Sequence, residues 1–286
     1  MIADLLAASR PLSWINTAFP FAAAYLLVTR EVDARAIIGA IFFLIPYNLA
    51  MYGINDVFDY ASDVANPRKG GAEGALLDPR RHRVVLLSAA LSCLPFVVAL
   101  VLLGPPWSWP ALMLALFAVV AYSAPPFRFK EVPLLDSITS SLHFCVPALY
   151  GILLAGEVPN LGSTAILVAF FLWGMASHAF GAVQDIVPDR EGGISSIATV
   201  LGAARTVRLA LALWTAAGLL MLTTGFPALW ASLLAVPYLI AAAPYTRIAD
   251  ADSRRANRGW RAFLWINYAC GFAATLLMIA YTISTV

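Results

Sequence analysis

The sequence predicts an all-α integral membrane protein, a bundle of nine transmembrane helices with its N-terminus in the cytoplasm and its C-terminus outside. Three observations predict it. The 286 residues are 61% hydrophobic and only 12% charged, far from a soluble globular composition. Apolar runs of about 20 residues, the length that crosses a bilayer, recur nine times. Those runs also sort nearly all the basic residues to one side.

The first run, 11–28, follows Arg10. No convincing A-x-A-like cleavage site follows it, so it is expected to stay in the mature protein as a span. The second, 36–58, ends in an acidic motif. The third and fourth, 84–104 and 107–123, are separated only by Gly104-Pro105-Pro106. The fifth is 134–155, and the sixth, 162–184, ends in a second acidic motif. The seventh and eighth, 204–224 and 227–246, are separated by Gly225-Phe226-Pro227. Such Gly/Pro punctuation predicts tight helical hairpins. The ninth is 262–284. No stretch remains for a soluble domain, so 1–286 reads as a single transmembrane domain.

With the N-terminus inside, only Arg30 and Arg35 fall outside, leaving the other 16 of the 18 basic residues at the cytoplasmic face. That face suits anionic lipid headgroups or an anionic substrate; no nucleic-acid partner is expected. Cys93, Cys145 and Cys270 have no metal-ligand spacing and read as small core residues. The chain has no G-x-x-x-x-G-K-[ST], G-x-G-x-x-G or H-E-x-x-H, which removes common nucleotide and zinc chemistries.

The acidic motifs carry the chemistry. Asn55, Asp59 and Asp63 stand at i, i+4 and i+8. On a helix each such step rises about 6 Å and turns about 40° past one revolution, so the three form one stripe. Asp56 lies roughly 100° away and reads as a supporting residue. Asp185 and Asp189 repeat the step after the sixth run. In the nine-span topology both stripes emerge at the cytoplasmic face. Carboxylates at the end of a span are costly and mark function. Mg²⁺ takes oxygen ligands from one or two carboxylates, waters and substrate phosphates, so two such stripes predict Mg²⁺ and a phosphorylated substrate. The alternative is interfacial ion pairing with Arg68, Lys69 and Arg190.

Basic residues flank each motif: Arg68 and Lys69 after the first, Arg190 after the second. A third segment, Tyr122-Ser123-Ala124-Pro125-Pro126-Phe127-Arg128-Phe129-Lys130, ends the fourth run on the same side. Arg and Lys can bind phosphate oxygens that a metal leaves open; for Arg128 and Lys130, topological anchoring is the alternative. Tyr122, Phe127, Phe144, Tyr150 and Trp173 offer aromatic faces that stabilise a cation, or simply pack. His143 and His178 lie within spans, which suggests either function or an interhelical hydrogen bond. Asp136 orders the Arg128/Lys130 loop or faces solvent. The segment 247–261, with Asp250 and Asp252 beside Arg254, Arg255, Arg258 and Arg261, reads as a solvated loop.

These motifs resemble the UbiA superfamily of intramembrane prenyltransferases over nearly the whole chain. In that family the N-x-x-x-D-x-x-x-D and D-x-x-x-D motifs hold Mg²⁺ on the diphosphate of an isoprenoid donor. The resemblance implies metal ligands at Asn55, Asp59, Asp63, Asp185 and Asp189. It implies a diphosphate-proximal segment at Tyr122, Ser123, Arg128 and Lys130. Ser9-Arg10-Pro11-Leu12-Ser13-Trp14-Ile15-Asn16-Thr17, Asn66-Pro67-Arg68-Lys69-Gly70-Gly71, Ser123-Ala124-Pro125-Pro126-Phe127-Arg128-Phe129-Lys130-Glu131, His143-Phe144 and Gln184-Asp185-Ile186-Val187-Pro188-Asp189-Arg190-Glu191-Gly192-Gly193-Ile194 are similar to the lycopene elongase branch. That branch implies dimethylallyl diphosphate as donor, lycopene as acceptor, and a place in C50 carotenoid biosynthesis at the cell membrane, beside other enzymes of that route. An aromatic, quinone-precursor or chlorophyll-like acceptor stays open. So does a transporter, although its acidic residues would sit near mid-membrane rather than at one interface.

Overall fold

The computed structural model describes residues 2–60, 64 and 76–284. Asp63, Arg68 and Lys69, with the rest of the Asn66–Gly71 segment, lie outside the described residues. The described chain is helical and contains no strand. Eight of its helical stretches are long and apolar enough to cross a membrane, and nine if the bent N-terminal pair is one span. This is a multi-pass membrane protein. Two compact units divide it: Met1–Phe129 with Leu142–Val158, and Lys130–Ser141 with Pro159–Val286.

The first unit opens with α1 (Ile2–Ser9) and α2 (Ile15–Thr29), bent by 57° relative to each other; α2 carries the predicted run 11–28, and α1 is a helix ahead of it that the sequence analysis does not anticipate. The cause is local. Pro11 offers no N–H to continue α1, and Arg10 before it takes a left-handed φ of 50°. The Trp14 indole N–H donates to the Ser9 carbonyl at 3.0 Å across the bend. Asp33 then caps α3 (Ala34–Leu44), accepting from the Ala36 N–H, the Tyr25 hydroxyl and Arg35 Nε, each at 2.9 Å. Burial works against its charge, but these donors hold its carboxyl below the usual range.

The second predicted span is broken at Ile45, because Pro46 starts α4 (Pro46–Phe58) without an N–H to give. Buried side chains satisfy the carbonyls at the break. Asn48 donates to the Phe43 and Leu44 carbonyls at 2.8 and 3.1 Å, and Thr17 to Phe43 at 2.7 Å. That repair is what lets a proline break persist where water is excluded. The unit continues with α5 (His82–Leu103), α6 (Trp109–Ser123) and the later turns of α7 (Leu135–Leu154). Its core stacks the fully buried rings of Phe21, Phe42, Phe43, Tyr47 and Tyr150. A Cβ at Gly151 would lie 2.6 Å from the Phe21 carbonyl, so only glycine lets α7 approach α2 this closely.

The second unit holds the first turns of α7, then α8 (Leu161–Val183), α9 (Ile186–Glu191), α10 (Ile197–Leu201), α11 (Ala203–Met221), α12 (Ala235–Ala242) and α13 (Asn257–Ser284). Alanines at 176, 203 and 210 let α8 and α11 pack closely around Phe180, Val207 and Trp214. The eighth predicted span is a composite, α12 between two 3₁₀ segments at Ala228–Leu234 and Ala243–Tyr245. The segment read as a solvated loop is ordered: 250–256 is 3₁₀ helix and runs directly into α13. Cys93, Cys145 and Cys270 are all buried and unbridged, as their scatter suggests.

Candidate active site

In the first unit α4 stops at Phe58, and Asp59 caps it with φ −100° and ψ 0°. This sparsely populated region is where many active-site residues sit. Asn55, one turn earlier, donates through Nδ2 to Asp59 Oδ2 at 2.6 Å and to Ser123 Oγ at 2.9 Å. The i, i+4 stripe therefore exists for its first two members, and Ser123, at the end of α6, joins it. Asp59 is only 5% exposed. Because Asn55 spends its nitrogen on Asp59 and Ser123, its carbonyl oxygen is left for another partner. Arg128 Nη2 stands 4.0 Å from Asp59 Oδ1, on a backbone with φ 42°. Its Nη1 reaches toward the Phe58 and Ser123 carbonyls at 3.4 and 3.5 Å. Tyr122 packs its ring edge-on to His143, with centroids 5.3 Å apart.

Asp56, read as a supporting residue, is fully buried and pairs with Arg10 Nη2 at 2.7 Å. Arg10 in turn lies over the Tyr52 ring, 4.3 Å from its centroid. Arg10 falls inside the Ser9–Trp14 segment noted above, but nothing local in the sequence points to a partner 46 residues away.

In the second unit Asp185 stands between α8 and α9 with the same backbone angles as Asp59, φ −100° and ψ 0°. The Asp189 N–H donates to the Asp185 carbonyl at 2.9 Å, so the four-residue step survives the break. Both acids are half-buried. Gln184, just before, accepts from Asn257 Nδ2 at 2.5 Å, tying the motif to the head of α13. Arg190 is engaged elsewhere: it pairs with Asp250 Oδ2 at 2.7 Å and donates to the Thr199 carbonyl at 2.6 Å. Lys130 is half-buried, with Glu131 Oε1 at 4.0 Å.

Asp136 does not face solvent. It is fully buried and accepts from the Ser137 and Ile197 N–H groups at 2.6 and 2.7 Å. The Ser137 hydroxyl lies 3.1 Å from His178 Nδ1. His178 therefore sits in a polar chain at the start of α7, a link the sequence does not display.

A hard, oxygen-seeking cation fits these donors: carboxylates, an amide carbonyl and nearby hydroxyl oxygens. Among the described residues no three His, Cys, Asp or Glu form a metal cage. Mg²⁺ does not need one, since it binds through one or two carboxylates with waters and substrate phosphates.

The comparisons agree with this chemistry. The family model described as "UbiA prenyltransferase family" matches residues 17–271. A lycopene elongase/hydratase of Corynebacterium glutamicum is 50% identical over 276 residues, covering 96% of each chain. The C(50) beta-cyclic carotenoids biosynthesis protein LbtBC of Dietzia sp. is 50% identical over 98% of this chain, which spans 65% of that protein. A UbiA homolog from Archaeoglobus fulgidus bound to DMAPP and Mg²⁺ has the same fold, with a TM-score of 0.67 at 19% identity, covering 93% of this chain and 98% of that one. The chain is a prenyltransferase and belongs to the UbiA prenyltransferase family.

Proposed function

We propose that this enzyme transfers a dimethylallyl group from its diphosphate to an end of lycopene, with hydration or proton loss, in C50 carotenoid biosynthesis. One observation carries the reading: an Asn55–Asp59–Ser123 cluster, buried at Asp59 and Ser123, beside Arg128, in a chain half identical to a lycopene elongase/hydratase. In this reading Asn55, Asp59, Asp63, Asp185 and Asp189 hold Mg²⁺. Arg68, Lys69, Ser123, Arg128 and Lys130 hold the diphosphate. Arg190 joins them by exchanging Asp250 for a phosphate oxygen. The chain acts as one prenyltransferase domain over 1–286, supported by a family match that runs unbroken through both acidic motifs. The excess of basic residues supports a cytoplasmic N-terminus, an outer C-terminus and a diphosphate site at the cytoplasmic face of the plasma membrane.

Bound Mg²⁺ supplies charge neutralisation for the leaving diphosphate. The protein's own groups do the rest. Arg128 and Lys130 orient the diphosphate and take up charge as the C–O bond breaks and its electron pair leaves on oxygen. Tyr122, held edge-on by His143, offers its face to the allylic cation. A terminal double bond of the acceptor attacks that cation, and the new tertiary cation either loses a proton from a neighbouring carbon or takes up water, which then releases its proton to leave a hydroxyl. Apolar helix walls keep water out until the carbon–carbon bond has formed.

The test is expression in a lycopene-producing host with mass analysis of the pigments. Products heavier than lycopene by C5 units, with or without water, are expected. Membranes should lose the activity in EDTA and regain it with Mg²⁺. Unchanged lycopene beside active prenylation of 4-hydroxybenzoate would overturn the acceptor and leave the reaction class standing.

A further inference from the structure

The segment 244–265 lines a cavity that is open to the surface, with exposed arginines on its walls, and that the chemistry above does not use. Its volume is about 1030 Å³, and Arg247, Arg254, Arg255, Arg258 and Arg261 all line it. No carboxylate lines it. The acids of the same segment lie elsewhere: Asp250 is held by Arg190 and by the Ala203 N–H at 2.7 Å, and Asp252 is outside the lining. Among the described residues, none of the five guanidinium groups forms an ion pair. Five like charges around one space repel one another unless an anion sits among them. Guanidinium is also the side chain whose fork matches phosphate oxygens two at a time.

The surroundings favour a lipid over a soluble anion. The cavity opens at the head of α13, and Trp265 on its wall is 76% exposed. Below it Tyr268, Phe272, Leu276 and Ile279 are also exposed, spaced three or four apart and so on one face of the helix. Exposed Trp and Tyr belong at the headgroup level of a bilayer, and the aliphatic residues beyond them belong against acyl chains. Basic pockets at the ends of membrane helices are suited to anionic headgroups.

We propose that this cavity binds the phosphate headgroup of an anionic phospholipid, with an acyl chain running along the Trp265–Ile279 face of α13. The proposal stands apart from the choice of acceptor and from the metal site. The test is native mass spectrometry of the full-length protein equilibrated with equal phosphatidylglycerol and phosphatidylcholine. The wild type should retain phosphatidylglycerol at least five-fold over phosphatidylcholine. Arg254→Gln/Arg255→Gln/Arg258→Gln together should abolish that preference, whereas Arg80→Gln/Arg83→Gln, which removes exposed charge at α5, should keep it. Equal retention of both lipids by the wild type, or equal loss in both variants, would overturn the proposal. So would displacement of the lipid by millimolar inorganic diphosphate, which would assign the cavity to a soluble anion. If the triple variant fails to fold, thermal stability of the wild type with short-chain lipids decides. A rise in Tm with phosphatidylglycerol alone supports the site, and an equal rise with phosphatidylcholine removes it.

Discussion

Asn55–Asp59 at the end of α4 and Asp185–Asp189 between α8 and α9 share a four-residue step and the same backbone angles at the helix break, φ −100° and ψ 0°. Their settings differ. Asp59 is buried and is bonded directly by the Asn55 side chain. Asp185 and Asp189 are half-buried and linked through the backbone. Each motif also has an Arg–Asp pair of 2.7 Å nearby. The side chains of Arg10 and Asp56 are 17% and 0% exposed, those of Arg190 and Asp250 45% and 39%. Equal distances do not mean equal consequences. A buried charge that loses its partner is stranded, whereas a surface charge is taken up by water. The first motif is therefore braced by a buried ion pair, whereas the ion pair beside the second is exposed and its Gln184 is tied to Asn257 at the head of α13.

The sharpest way to break this comparison is Arg10→Ala. It removes the guanidinium that pairs with the buried Asp56 carboxylate and should cost about 3–5 kcal/mol of stability. Unfolding in detergent measures it, and adding Asp56→Ala should recover part of the loss. A variant as stable as wild type would show that Asp56 needs no bracing. Next come Asp59→Ala and Asp185→Ala. If each carboxylate contributes about 3 kcal/mol to the transition state, turnover falls about 100-fold or more in either variant. Asp59→Asn should stay folded, because its amide oxygen can still accept from Asn55, yet remain inactive. Near-normal turnover in both alanine variants would remove the metal site.

Smaller effects sharpen the contrast. Arg128→Ala and Lys130→Ala should raise the KM for dimethylallyl diphosphate about tenfold with little change in kcat, as expected for contacts made equally in ground and transition states. Unchanged donor KM in both would return them to topological anchors. Smallest is Asp250→Asn, which keeps an acceptor for the Ala203 N–H but drops the charge pair with Arg190. Its stability should change by less than about 1 kcal/mol. A loss as large as that of Arg10→Ala would mean that exposure is a poor guide here.

Most of the helical scaffold was legible because it depends on composition along the chain. Runs near 20 apolar residues, punctuated by Gly104-Pro105-Pro106 and Gly225-Phe226-Pro227, are local signals. The stripe of Asn55 and Asp59 was legible for the same reason, since helical spacing alone brings them together. What escaped is non-local. Arg10 meets Asp56 across 46 residues, and Asp136 meets the Ile197 N–H across 61. Neither partner is marked by spacing or by neighbours. The break at Ile45 was signalled by Pro46, but not the Asn48 and Thr17 bonds that make it tolerable. The segment 247–261 exposes its arginines, as a solvated loop would, but its 3₁₀ backbone at 250–256 and the cavity beside it depend on how the chain folds back.

The bond from Asp136 to the Ile197 N–H has a further consequence, in the order of synthesis. A ribosome adds about 5–20 residues each second, so the carboxylate waits about 3–12 s for a partner 61 residues behind it. Until then only the neighbouring N–H of Ser137 can serve it, and an ionised carboxylate with so little support does not leave water. The start of α7 must therefore remain at the aqueous boundary of the insertion channel while the whole of α8 is made. Its burial belongs to a late docking step that begins only once the α10 segment has emerged.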